Sequence, residues 1–339
     1  MRRLGLALAM VAAMTGPASA ETRMLDWFDL HGWEKDDHQA ALQVFLETCG
    51  DLKDADWPAI CAQASRGGNA KSFFETFFRP VLVTDAEEPL FTGYFEPELL
   101  GSKRQSTRFR YPLYRQPDEA DDGVPWLTRE QIETSGVLED RGLEIVWLED
   151  PVDKFFLQIQ GSGRIRLEEG GSIRVGYGGK NGHPYRSVGV ELVRRGLFKE
   201  HQVSAATIRR WVRRNPGSGP QLLWHNPSYV FFREVNEVPG HKGPLGAMNR
   251  SVTAGRTIAV DPEFVPLGAP VWLEKDGSAP LRRLMIAQDT GSAIKGAQRA
   301  DIFYGTGAEA GKLAGRVRDR GRMIVLLPVQ LALQVTDGA

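Results

Sequence analysis

"IAQDTGSAIKGAQRADIFYG", residues 286–305, sets an aspartate at each end of a glycine-rich loop: Asp289 closes one apolar run and Asp301 opens the next. Both runs are short and bounded by turn-forming residues, which predicts strand, loop, strand. Similar short runs stand at 257–260, 270–274, 284–287, 302–304 and 323–327, with one helical stretch at about 308–317. Short strands joined by irregular loops, with little helix between them, predict a closed β-barrel rather than a doubly wound sheet. The run "TIAVD" ends at a third aspartate, Asp261. All three are expected at strand ends, where a barrel could gather them. Against this, aspartate commonly closes turns by accepting backbone N–H groups, and Asp261 before Pro262 suits that role.

Upstream, Leu42, Phe45, Leu46, Leu52, Trp57 and Ile60 recur at mixed helical spacing, predicting one or two helices over 37–63 with a break near Gly50. A helix at about 69–78 leads into "PVLVTDAEEPLFTGYFEPEL" (80–99), which reads as strand. From about Gly101 the texture changes to β-like runs punctuated by glycine: "TRFRYPLYR" (107–115), "LEIVWLED" (143–150) and "FFLQIQGSGRIRLEEGGSIRVGYGG" (155–179). These predict a second all-β module, a small barrel. Amphipathic helices follow at about 188–195 and 204–214, the second capped by Ser204 and stopped by Asn215-Pro216-Gly217. Their basic residues read as a solvated face.

The chain opens with Arg2-Arg3, an apolar run from Leu4 to Met14 and then Gly16-Pro17-Ala18-Ser19-Ala20. This is the pattern of a secretory signal cut after Ala20, and the run is too short to span a bilayer. There are 42 basic and 43 acidic residues, a balance that argues against nucleic acid as a partner. In an exported chain Cys49 and Cys61 suit one disulfide, or equally two separate buried thiols. The six histidines show no metal-ligand spacing.

Several chemistries compete for the aspartates. An aspartic protease needs two D-[ST]-G segments sharing a proton, but Asp289-Thr290-Gly291 occurs once and polar Gln288 precedes it where such sites carry an apolar residue. A serine hydrolase lacks its G-x-S-x-G elbow, and "GYGGKNG" (176–182) lacks the G-K-[ST] ending of a phosphate loop. Cleaving a glycosidic bond uses more of the chain. It requires a protonated carboxyl beside the leaving oxygen, and hydrolases add a second carboxylate. The aromatic and amide residues of "FTGYFEP" (91–97) and "FLQIQGSGR" (156–164) suit sugar faces and hydroxyls, although strand packing explains Phe91 and Leu157.

Taken in order, "FTGYFEP", "FLQIQGSGRI", "YGGKNGHPYRSVG", "NPSYVFF", "GPLGAMNRSVTAGRTIAVDPEFVPLGAPVWL" and "QDTGSAIKGAQRADIFYGTGAEAGKLAG" resemble the MltA family of lytic murein transglycosylases. The C-terminal motifs are similar to the 3D domain, named for three aspartates. The resemblance implies a mainly β protein with some helices. A double-psi β-barrel catalytic domain would form from 21–100 and 234–339, with a second β-barrel inserted at 101–233 and a glycan strand in the groove between them.

The resemblance further implies a peptidoglycan lyase, an exotransglycosylase that breaks the MurNAc-GlcNAc β-1,4 bond without water and leaves a 1,6-anhydro-MurNAc end. Asp301 falls on the catalytic position, acid then base, with Asp289 supporting it and Asp261 more structural. One carboxyl suffices because the sugar carries its own nucleophile. Thr92, Tyr94, Gln160, Ser162 and Gly163 are the candidates for the sugar groove, with Lys295 a weaker one. No cofactor or metal is expected. The family's lipobox cysteine is missing at Ala18-Ser19-Ala20, so a soluble periplasmic monomer is expected, acting on glycan strands. An insoluble wall invites a partner from a cell-wall enzyme complex, but no segment identifies one. Two other readings stay open: a hydrolytic muramidase using Asp289 with Asp301, and an inactive glycan-binding protein.

Overall fold

The computed structural model describes residues 20–337 apart from 54–55, 121–123, 237 and 239–241. The expected secretory signal falls on 1–19, outside the described residues. The chain runs β1 (Glu21–Met24), α1 (His38–Cys49), α2 (Trp57–Ala64), α3 (Ala70–Phe77), β2 (Phe78–Thr84), β3 (Leu90–Glu96), β4 (Glu98–Ser102) and β5 (Tyr111–Tyr114). It continues through α4 (Arg129–Ser135), β6 (Glu144–Leu148), α5 (Pro151–Gln160), β7 (Gly163–Leu167), β8 (Ser172–Lys180), α6 (Val188–Arg194), α7 (Ala205–Arg214), α8 (Gly219–Trp224) and β9 (Val230–Glu234). The last third holds β10 (Thr257–Val260), β11 (Pro270–Lys275), β12 (Leu281–Asp289), β13 (Arg299–Thr306), α9 (Ala308–Ala314), β14 (Arg318–Asp319), β15 (Gly321–Pro328) and α10 (Val329–Asp337).

The strands divide between two sheets. One has nine strands in the order β1-β2-β15-β11-β12-β10-β13-β3-β14, and the other six in the order β5-β6-β4-β7-β8-β9. Pro97 alone separates β3 of the first from β4 of the second. The nine-stranded sheet is driven into a near-closed barrel by its connectivity. Its edge strand β14 pairs with β3, yet Arg320 alone separates β14 from β15, which lies inside the sheet between β2 and β11. A flat sheet could not hold both pairings. Lys275 Nζ reaches Asp319 Oδ2 at 2.6 Å across this seam, and Gly321 turns it with φ 147°. A Cβ on Gly321 would stand 1.9 Å from the Glu274 carbonyl oxygen, so no other residue fits there. Two parallel pairs, β10 with β12 and β3 with β13, interrupt an otherwise antiparallel ring.

The barrel interior and the helices against it share one apolar core that includes Phe45, Phe74, Phe78, Phe91, Trp272 and Ile324. Two buried glutamines work inside it. Gln298 donates to the Val83 and Met323 carbonyls and accepts from the Met323 N–H, joining strands that do not pair directly with its own. Gln288 accepts from Thr257 at 2.6 Å and donates to the Val44 carbonyl at 3.1 Å and the Thr48 hydroxyl at 3.2 Å, tying α1 to the end of β12. Cys49 and Cys61 form a disulfide with Cα atoms 5.6 Å apart, joining α1 to α2.

Three sequence expectations need correction. The segment 155–160 is the end of helix α5, not strand. Asp150 caps that helix by accepting from the Val152 N–H, Pro151 starts it and Gly161 ends it with φ 78°, while Val152, Phe155 and Leu157 face the core. The stretch 80–99 is three strands broken at 85–89 and Pro97. Helices α4, α8 and α10 were absent from the sequence reading.

Candidate active site

Strand β10 sets the geometry. Ala259 lies opposite Asp289 of β12 on one side and opposite Asp301 of β13 on the other. Directly opposed residues project from the same face of a sheet, so the two carboxyls stand on one face, their backbones about 10 Å apart across two strand spacings. Asp301 also lies opposite Thr92 of β3, and Phe303 opposite Tyr94, so Thr92 and Tyr94 join the same face. Asp289 ends its strand as expected, and Asp261 directly follows β10. Asp301 instead lies inside β13, because that strand begins at Arg299, three residues before its apolar run at 302–304.

The hydrogen bonds differ at the two aspartates. Asp301 Oδ1 accepts from the Thr92 hydroxyl at 2.8 Å, and Thr92 Oγ1 in turn accepts from Arg299 Nη2 at 2.9 Å. A hydroxyl has one hydrogen, so Thr92 must send it to Asp301. Among the described residues Oδ2 of Asp301 has no hydrogen-bond partner. Both oxygens of Asp289 have donors: Oδ2 accepts from the Tyr94 hydroxyl at 2.8 Å, and Oδ1 from the Thr290 N–H at 2.9 Å and the Ala247 N–H at 3.0 Å.

Burial pushes the Asp301 carboxyl up to about 6; the Thr92 hydrogen bond and the Arg299 charge oppose this, and the Asp289 charge adds to it. Burial also raises Asp289, against its three donors. The Tyr94 hydroxyl is held well above its ordinary range, by burial first and then by Asp289. Its ring packs on Phe303 with centroids 5.1 Å apart. Asp301 is therefore a carboxyl that holds its proton well above the usual carboxylate range, up to about pH 6, with one oxygen fixed as an acceptor.

The remaining candidates scatter. Gln160 Oε1 accepts from the Phe95 N–H at 3.3 Å, bringing the end of α5 next to Tyr94, and Ser162 follows half-buried. Gly163 is buried, and a Cβ there would meet Leu157 at 2.3 Å, so its smallness serves the packing of α5 on β7. Lys295 points elsewhere: its Nζ lies 3.1 Å from Asp261 and 3.8 Å from Glu263. Burial alone would raise Asp261, but the Gly296 N–H, Lys295 and the Glu263 N–H hold it below its ordinary value. Asp261 thus closes the glycine-lysine loop, bonded to Glu263, Lys295 and Gly296. The sequence reading missed Arg299, two residues before Asp301 on the same strand face, and Ala247, whose backbone caps Asp289. Among the described residues no group of three or more His, Cys, Asp or Glu could hold a metal ion, and no helix is long and apolar enough to cross a membrane.

Residues 90–233 match the MltA specific insert domain and residues 256–327 the 3D domain. The membrane-bound lytic murein transglycosylase A of Escherichia coli (strain K12) is 35% identical over 259 residues, 73% of this chain and 68% of the relative. The leading curated matches span about two thirds of the relatives' own length, 64% and 68%. Among solved structures, a membrane-bound lytic murein transglycosylase from Agrobacterium tumefaciens superposes with a TM-score of 0.82 at 33% identity, covering 93% of this chain and 99% of the other. The E. coli MltA structure with bound chitohexaose gives 0.73 at 26% identity, covering 93% and 95%.

Proposed function

We infer that this chain, which belongs to the MltA family of lytic murein transglycosylases, cleaves the MurNAc-GlcNAc β-1,4 bond of peptidoglycan without water and leaves a 1,6-anhydro-MurNAc end. The observation that carries this reading is the inequality of the two carboxyls. Burial pushes Asp301 up to about 6 and among the described residues one of its oxygens has no donor, whereas both oxygens of Asp289 are engaged by donors.

The chemistry follows from the Thr92 hydrogen bond. With Oδ1 fixed as acceptor, the acid proton sits on Oδ2, which gives it to the glycosidic oxygen as the bond from C1 breaks. The C6 hydroxyl of the same sugar then closes on C1 and returns its proton to Oδ2. One bond forms for the one broken, and the enzyme regains its proton. Holding the C6 hydroxyl beside C1 replaces an encounter with water by an internal step. Burial does most to keep the proton on Asp301, and the charge of Asp289 adds to it. Thr92 and Tyr94, with Gln160 and Ser162 at the end of α5, would contact the glycan. The chitohexaose in the E. coli relative supports a glycan strand as ligand. The same reading has the mature chain exported to the periplasm by its signal and acting as a monomer.

Asp301→Asn keeps an acceptor for Thr92 but has no proton to give. It is expected to lower muropeptide release from purified sacculi by roughly 10²- to 10⁴-fold while sacculus binding persists. Unchanged release would reduce the protein to a glycan-binding scaffold. A muramidase using Asp289 as base would need an Asp289 oxygen free to hold water, and its three donors oppose that.

A further inference from the structure

A second concave surface lies against the turn that holds Asp289. Leu245 bridges Ser251, the Gly246 N–H donates to the Arg250 carbonyl at 2.9 Å, and Asn249 takes a left-handed φ of 56°. Within this turn Ala247 caps Asp289, while Asn249, Arg250 and Ser251, with Glu47, Arg233 and Lys242, line a cavity of about 440 Å³.

Among the described residues the lining is unbalanced, with three cations against one carboxylate. Lys242 lies 3.2 Å from Glu47, and Arg250 lies 3.0 Å from Asp51 just outside the lining. All four side chains are more than a third exposed. Ion pairs this exposed are worth little and exchange readily for another anion. Arg233 donates to the neutral Asn249 amide at 3.3 Å, and among the described residues no carboxylate pairs with it. The cavity wall is held in place from below: Arg174, itself buried, donates to the Lys242 carbonyl at 2.8 Å. An N-acetylated glycan offers these cations hydrogen-bond acceptors but no counter-charge. The carboxylates of murein sit on the peptides that hang from its muramic acid, and the guanidinium fork matches a carboxylate in shape and charge.

We propose that this cavity is a subsite for a carboxylate of the peptide stem, one turn away from the aspartate pair. The proposal rests on the transglycosylase reading for its substrate, but its test reads binding and not turnover. Titration calorimetry on the Asp301→Asn protein at low ionic strength would compare N-acetylmuramoyl-L-alanyl-D-glutamate with its neutral diamide. The acid is expected to bind about tenfold more tightly. Arg233→Gln and Arg250→Gln should each erode that preference, whereas Arg210→Gln on α7, an equal loss of charge elsewhere, should leave it intact. Equal binding of the two probes, absence of binding by the acid, or a preference surviving both cavity substitutions would overturn the proposal. Failure here leaves the transglycosylase reading standing, since the reaction product decides that separately.

Discussion

At the scale of single residues, the two site aspartates have the same chemistry and opposite surroundings. Activity that needs a protonated Asp301 falls as pH rises through about 6. Thr92→Val removes a donor that favours the charged form, so the falling limb should move to higher pH while the rate drops. Asp289→Asn removes a negative charge that disfavours ionisation, so the limb should move to lower pH. Profiles of kcat/KM against pH on sacculi check this, and shifts of the same sign in both variants would refute the assignment. The same shift bears on stability. A carboxyl raised above its unfolded value of 3.8 binds its proton more tightly when folded, so stability is lost as pH climbs from about 4 through 6. Asp301→Asn mimics the protonated form. It should be more stable than the wild type above pH 7, by at most about 3 kcal/mol, with the gain vanishing below about pH 4. Thermal melts at the two pH values would show it, and an equal gain at both would not fit. Asp289 and Asp301 were legible because they bracket one conspicuous loop. Arg299 was not, since besides its charge it acts by a hydrogen bond to Thr92, 207 positions away in the chain.

At the scale of elements, the C-terminal strands other than β14 were readable because each contains a short apolar run, and β10 lies at 257–260 as its sequence predicts. Helix α5 misled because its aromatic residues suit a strand; the deciding signals were the Asp150-Pro151 start and the Gly161 stop. Helix α4 carries a Thr128-to-Gln131 capping box but is only seven residues long, too short for its periodicity to show. The bridge between α1 and α2 was undecidable from composition, because burial alone suits two free thiols. With a separation of 12 residues, Cys49→Ser with Cys61→Ser should lower stability by about 2–3 kcal/mol in urea unfolding. An unchanged midpoint would mean that α1 is held by its core contacts and Gln288 alone.

At the scale of the molecule, a mainly β fold with two sheets could be expected from the change of texture near Gly101. Closure of the larger sheet could not, because it depends on β14, two residues long and without pattern. Nor could the contact between the sheets. Glu96, the last residue of β3, is fully buried and receives Arg174 of β8 through Nε at 2.6 Å and Nη2 at 3.1 Å, with Thr306 donating at 2.7 Å. Glu96→Gln would strand a buried guanidinium and should cost roughly 3–5 kcal/mol, of which Arg174→Met in the same chain should restore part. Additive losses in that double-mutant cycle would dismiss the pair as a joint between the sheets. The central claim concerns the whole reaction: a sugar hydroxyl, not water, attacks C1. Digesting sacculi in water enriched in heavy oxygen and weighing the muropeptides tests it directly. The account predicts 1,6-anhydro-MurNAc ends one water lighter than reducing ends and free of label, and labelled reducing-end MurNAc would contradict it.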